Sequence, residues 1–171
     1  RVLNDSELPK ILNNLDIYTP ALADVIIICL YTGLRSGEVI AIHYNELSYE
    51  DGIAWLTIPR ERMKNNMAHR VPIFSMANVI LAKRMHLNCR GYLFPAKRNN
   101  NKQMRPATLA REVYKKPSAV SDWHLHDLRR TTRTNLQRIG CPFEISETIL
   151  AHKLPGVSSV YARFQYTDEK I

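Results

Sequence analysis

Apolar positions recur along most of this chain at helical spacing, and at strand spacing in only one region. Leu8, Ile11, Leu12 and Leu15 follow Asn4-Asp5-Ser6-Glu7, a capping-box-like start, and predict a short first helix. After a linker from Asp16 to Thr19, Pro20 stands where a helix begins. The run Ala21 to Tyr31 is apolar on every side, as in a helix buried in the middle of a domain. It stops at Thr32-Gly33-Leu34-Arg35-Ser36-Gly37-Glu38. There Gly33 suits a left-handed C-cap, and Ser36 suits the N-cap of a short helix that follows. Arg35 is thereby presented at a turn between two helices.

From Leu47 the period changes. Tyr49-Glu50-Asp51-Gly52 reads as a turn, Ile53 to Ile58 as a β-rich run, and His69-Arg70-Val71-Pro72-Ile73 as a returning strand. The result is a small antiparallel sheet with Lys64 near its loop. Met76 to Leu87 returns to helical spacing through Val79, Ile80, Ala82, Lys83 and Leu87, and is expected to pack under the sheet. Asn99-Asn100-Asn101 marks a loop, and Pro106 fits the first turn of another helix. In Trp123 to Thr132, His126 and Arg129 lie three apart, so one helix face carries both. Asp127 or Asp122 can N-cap that helix, and Leu125, Leu128 and Leu136 form its apolar side. Gly140 ends it. Cys141-Pro142 opens the next, where Phe143, Ile145, Ile149 and Leu150 have core spacing. A Pro155-Gly156 turn then leads to Val157 to Arg163, with Tyr161 nine residues after His152.

Length and charge narrow the function classes. A chain of 171 residues fits one domain with a sizeable core. The net charge of +8 calls for an anionic partner, nucleic acid first, and Arg outnumbers Lys 15 to 9, which favours specific phosphate contacts. Residues 97–116 concentrate that charge in Lys97, Arg98, Lys102, Arg105, Arg111, Lys115 and Lys116 against Glu112 alone, a pattern that suits a DNA backbone groove. Cys29, Cys89 and Cys141 are odd in number, without C-x-x-C spacing, and read as buried reduced thiols of a cytosolic protein. The longest apolar run, Val25 to Tyr31, is far short of the ~20 residues of a membrane span, and no membrane partner is expected. No zinc spacing or phosphate-binding glycine loop occurs. The chain begins at Arg1 without Met and reads as a fragment lacking an N-terminal neighbour.

Several side chains suit phosphate chemistry, though each has a plainer reading. Arg35 could cap a helix and pair with Glu38; Lys64 could be solvated; Tyr161 could be a packing aromatic. His126 and Arg129 combine a group that titrates near neutrality with a permanently charged, bidentate one.

Taken together, Thr32 to Glu38, Lys64 followed by His69-Arg70-Val71-Pro72, His126-Asp127-Leu128-Arg129-Arg130-Thr131, Leu150-Ala151-His152 and Tyr161 resemble the tyrosine recombinases. The likeness is strongest to phage and genomic-island integrases, and runs from about Leu3 to Arg163. It implies a mainly α (α+β) fold: a helical catalytic domain with a small three-stranded antiparallel sheet, occupying residues 1–171 as a single domain. The family's core-binding domain would precede it. Ala151 stands where glycine is commoner, and still allows close packing.

The resemblance also implies the chemistry. Tyr161 would be the nucleophile, forming a 3′-phosphotyrosyl bond; Tyr166 is its only nearby rival and is spaced five residues too far from His152. Arg35 and Arg129 would hold the non-bridging oxygens, and His152 would hydrogen-bond the same phosphate. Lys64 would protonate the leaving 5′ oxygen, His126 would act as general base towards Tyr161, and Glu38 would orient Arg35. No metal or cofactor is needed, and the covalent intermediate makes ATP unnecessary. Expected partners are double-stranded DNA attachment sites. A tetramer would form on DNA from an isolated domain that is monomeric, with accessory directionality and DNA-bending proteins. The place would be the bacterial cytoplasm, at the nucleoid. Other readings are a type IB topoisomerase-like activity, a DNA-binding module with idle catalytic residues, and a metal-dependent nuclease using His124 and His126 on a strand.

Overall fold

A computed structural model describes residues 1–88, 90–116, 118–152 and 170–171. Helix α1, Glu7–Leu12, is capped as the sequence suggests: Asn4 Oδ1 accepts from the Glu7 N–H (2.9 Å), and Glu7 Oε2 accepts from the Asn4 N–H (3.0 Å). Helix α2, Pro20–Thr32, has proline in its first turn and is closed by Gly33 at φ +68°, a left-handed conformation that glycine adopts without strain. Leu22, Val25, Ile26, Ile28 and Cys29 of α2 are all buried, so this helix is the axis of the core. Helices α3, Ser36–Ile40, α4, Ser75–Leu87, and α6, Leu125–Arg138, pack around it.

Strands β1, Leu47–Glu50, β2, Ile53–Ile58, and β3, His69–Ile73, form one antiparallel sheet in the order β1-β2-β3. The register sets Leu47 opposite Leu56, Leu56 opposite Val71 and Ile58 opposite His69. Leu56, Ile58, Val71 and Ile73 turn inward to the core that α2 shares. The mainly α architecture with a three-stranded antiparallel sheet is the one anticipated. Helices α5, Pro106–Lys115, and α7, Phe143–Ile149, complete the seven helices among the described residues. None of these helices is long and apolar enough to cross a membrane.

Several local expectations fail, each for a physical reason. Asn99 to Asn101 belongs to strand β5, Asn99–Gln103, paired with β4, Pro95–Ala96, where a loop was expected; four of the five β5 residues are exposed, so no buried face left an alternating pattern to read. Ser36 is the first residue of α3 and not its cap. The cap position is Arg35, whose N–H is received by the Glu38 carboxylate at 2.8 Å. Neither Asp122 nor Asp127 is the N-cap of α6: His124 is, and Asp127 sits three residues inside, accepting the His124 N–H at 2.9 Å. Val79 and Leu87 of α4 are exposed, because the helix buries only the narrow stripe Ala77, Ile80 and Leu81. Phe143 is likewise exposed, and α7 buries Ser146 and Glu147 instead. Cys29 is buried, but Cys141 lies half-exposed in the turn before α7, and Cys89 is outside the described residues.

Candidate active site

Three segments distant in sequence meet beside the C-terminal end of α2. The Gly33 turn leads directly into α3 and places Arg35 at its start. There the guanidinium bonds Glu38 Oε1 at 2.6 Å, so the carboxylate of one residue receives both the backbone and the side chain of the other. The turn carrying Lys64 follows β2 and is tied to the same helix: Arg62 donates to the Glu38 carbonyl at 3.0 Å and pairs with Glu46. The third segment is the end of α7, where Leu150-Ala151-His152 turns away from the helix.

Arg129 joins the first and third of these segments. Its side chain is buried, one guanidinium nitrogen donating to the Gly33 carbonyl at 2.7 Å and the other to the Leu150 carbonyl. A buried cation is costly unless its donors are satisfied, and these two carbonyls satisfy part of that demand. Burial, then the neighbouring Arg35 charge, lowers the Arg129 pKa to about 10, with Glu38 and Glu147 opposing; it stays cationic at neutral pH. Gly33 itself leaves no room for a side chain, since a Cβ would come within 2.5 Å of Leu150 Cδ2.

Ala151 has φ +53°, in the left-handed region. The sequence suggests that alanine is tolerated there because it packs closely. The constraint is conformational instead, and a non-glycine residue in it carries roughly 1 kcal/mol of strain. The turn is held by two backbone bonds back into α7, Ala151 N–H to the Thr148 carbonyl (3.0 Å) and His152 N–H to the Glu147 carbonyl (2.9 Å).

The outcome is a cavity of about 300 Å³ lined by Arg35, Met63, Lys64, Asn65, Ala151 and His152. Three of the anticipated site residues therefore face one space, and Arg129 braces two of its walls. His126, exposed in the first turn of α6, lies close enough that Arg130, Arg129 and Arg35 all act on it. Its pKa is lowered, by burial first and then by those charges, which favours the neutral imidazole. Tyr161 and Tyr166 fall outside the described residues. His124 caps α6 while His126 is helical, so the two lack the strand geometry a metal-binding pair would use.

Sequence reasoning missed four participants. Glu147 is buried, bonding Arg133 Nε at 2.6 Å and His152 Nδ1 at 2.8 Å. Arg133 lies one helical turn beyond Arg129, a spacing that could have marked it. Arg62 anchors the Lys64 turn. His69, at the start of β3, is buried with Nε2 unpartnered among the described residues. Burial first, then Lys170, pushes its pKa down to about 3, while a hydrogen bond with the Ile149 backbone opposes the shift.

The basic residues of the 97–116 segment that were singled out, Lys97, Arg98, Lys102, Arg105, Arg111, Lys115 and Lys116, are all exposed. Lys102 and Arg105 also line a second cavity, of about 600 Å³, together with Glu38, Arg62, Tyr92 and Gln103. It opens beside the same α3 helix whose N-cap is Arg35.

The sequence profile described as the phage integrase family matches residues 1–168. The chain belongs to that family. Among solved structures, it resembles the XerH site-specific recombinase bound to its difH substrate at 19% identity and a TM-score of 0.70, covering 98% of this chain and 51% of that one. It also resembles the XerA recombinase (18%, TM-score 0.69, 100% and 65%). The integrase from mycobacterium phage Brujita is a third (16%, TM-score 0.72, 99% and 55%). At these identities the likeness is one of fold, that of the tyrosine recombinase catalytic domain. The integrase chain spans between half and two thirds of the length of these structures. No curated protein sequence matches.

Proposed function

We propose that this integrase domain cleaves and rejoins duplex DNA in site-specific recombination, without metal, through a 3′-phosphotyrosyl intermediate on Tyr161. The observation that carries the reading is the cavity shared by Arg35, Lys64 and His152, with Arg129 fixing its walls. Three cationic or proton-donating side chains around one space of about 300 Å³ suit a phosphodiester whose charge grows in the transition state. Arg35 is pre-oriented by Glu38 to hold a non-bridging oxygen. Arg129 commits two of its five N–H donors to carbonyls and keeps others for phosphate. His152 donates to the same group, and Lys64, exposed at the cavity rim, protonates the leaving 5′ oxygen. His126, whose pKa is lowered by burial and then by its cationic neighbours, receives the Tyr161 proton.

The duplex would run across the cavity and along the exposed basic residues from Lys97 to Lys116, with Lys102 and Arg105 nearest the α3 helix. One of the similar structures is the Tn1549 transposon integrase in complex with circular intermediate DNA. Attachment-site DNA as substrate, a tetramer as the working assembly, accessory directionality and DNA-bending proteins as partners, and the bacterial nucleoid as the place complete the reading. The test is incubation with a nicked suicide duplex of the native site followed by a denaturing gel. A covalent adduct is expected from the unaltered chain and none from Tyr161→Phe, with DNA binding nearly unchanged. An adduct that survives Tyr161→Phe but not Tyr166→Phe would move the nucleophile.

A further inference from the structure

Helix α7 buries a carboxylate where an apolar side chain would cost less. Glu147 has 6% of its surface exposed, and such a charge persists only where partners repay its lost hydration. Each of its oxygens has one: Oε1 receives Arg133 Nε at 2.6 Å and Oε2 faces His152 Nδ1 at 2.8 Å. The backbone repeats the link, His152 N–H bonding the Glu147 carbonyl at 2.9 Å, so residue and ring are held at two points. A carboxylate facing Nδ1 accepts and cannot donate, which requires the ring proton on Nδ1. The nitrogen left for the cavity with Arg35 and Lys64 is then Nε2.

We propose that Glu147, braced by Arg133, is a positioning residue for the strand-cleavage reaction: it fixes the His152 ring with Nδ1 protonated, so that His152 meets the scissile phosphate through Nε2. The inference rests on the recombinase reading above. Neutral His152 held this way presents a bare Nε2, which repels a phosphate oxygen. The imidazolium, with Glu147 as its counter-ion, donates Nε2–H to it. Arg133, donating Nε–H to Oε1, holds the carboxylate in the orientation that leaves Oε2 for the ring. Losing Glu147 is therefore expected to harm the reaction chiefly through His152.

That last point makes the proposal separable from a merely structural role. Single-turnover cleavage of the suicide duplex at saturating protein is measured for the unaltered chain, Glu147→Gln, His152→Ala and the double variant. Glu147→Gln keeps the shape and is expected to slow cleavage about tenfold, within the range of coupling between contacting groups, with DNA affinity unchanged. In the His152→Ala background the same change should cost less than about twofold, since independent effects add and shared ones do not. Equal slowing in both backgrounds, or no slowing in either, overturns the proposal. Nitrogen-15 spectra of labelled histidine in the free chain give a second decision. Neutral His152 is expected as the Nδ1–H tautomer, reverting towards Nε2–H in Glu147→Ala while the other histidine signals stay in place. An Nε2–H tautomer in the unaltered chain refutes the idea. If the unaltered chain forms no adduct, the recombinase reading fails, and the spectra still decide how Glu147 holds the ring.

Discussion

Gly33→Ala puts the link between the fold and the site under test at one atom. The added methyl would stand 2.5 Å from Leu150 Cδ2 and 3.4 Å from Thr132 Cγ2, against the ~3.5–4.0 Å of an ordinary carbon contact. Leu150 is fully buried, so its side chain has to displace neighbours to make way. Alanine at φ +68° adds roughly 1 kcal/mol of backbone strain, and overpacking typically adds about 1–3 kcal/mol. The stiffer unfolded chain returns about 0.4–1 kcal/mol, leaving a net loss of about 1–3.6 kcal/mol. The loss should appear in urea unfolding as a lower midpoint with an unchanged slope. Because the Leu150 carbonyl also receives Arg129, the displaced turn should slow cleavage at saturating protein, at temperatures where the variant is still folded. Leu150→Ala should then cost less in the Gly33→Ala background than alone, since it removes the clashing carbon. A midpoint shift worth under about 0.5 kcal/mol, or additive costs of the two changes, would refute the reasoning.

Four further outcomes follow from these residues. Replacing the leaving 5′ oxygen by sulfur, whose thiolate departs without a proton, should rescue Lys64→Ala but not Arg35→Ala; rescue of neither would remove Lys64 as the acid. Arg35→Ala should slow cleavage by about 10²-fold or more at saturating protein. Neutralising Lys102 and Arg105 should instead weaken binding to every sequence and flatten its salt dependence, as measured by titration at several salt concentrations. His69 has a folded pKa near 3 against 6.5 unfolded, so it binds its proton more readily when unfolded. The stability it permits is complete above pH 6.5 and declines as pH falls towards 3; unfolding curves of His69→Leu should show a shallower decline over that window.

What could be read from the sequence was whatever short-range geometry dictates. Pro20 and Gly33 bound α2 because a fixed φ and a left-handed φ are properties of those residues alone. The reading of Arg35 with Glu38 was visible for a similar reason, their spacing of three. Arg129 was legible as a cation but not as a brace, since its carbonyl partners lie 96 and 21 residues away. Apolar spacing does not reveal Glu147, because the buried positions of α7, Ser146 and Glu147, are polar, and Glu147 is satisfied by Arg133 and His152. Strand β5 left no trace, as an exposed hairpin edge needs no apolar alternation.

The brace made by Arg129 has a consequence for the cell's handling of this integrase. A DNA-breaking activity is hazardous in any chain that has folded only in part, for instance one still being synthesised or partly degraded. Here the walls of the cavity come from the end of α2, the turn after β2 and the end of α7, and a single buried side chain of α6 draws two of them together. A chain lacking α7 has no Leu150 carbonyl for that side chain and no His152 opposite Arg35. Arg35 and Lys64 then lack the third wall of their cavity, and under the recombinase reading proposed above such an incomplete molecule is expected to be inactive in cleavage.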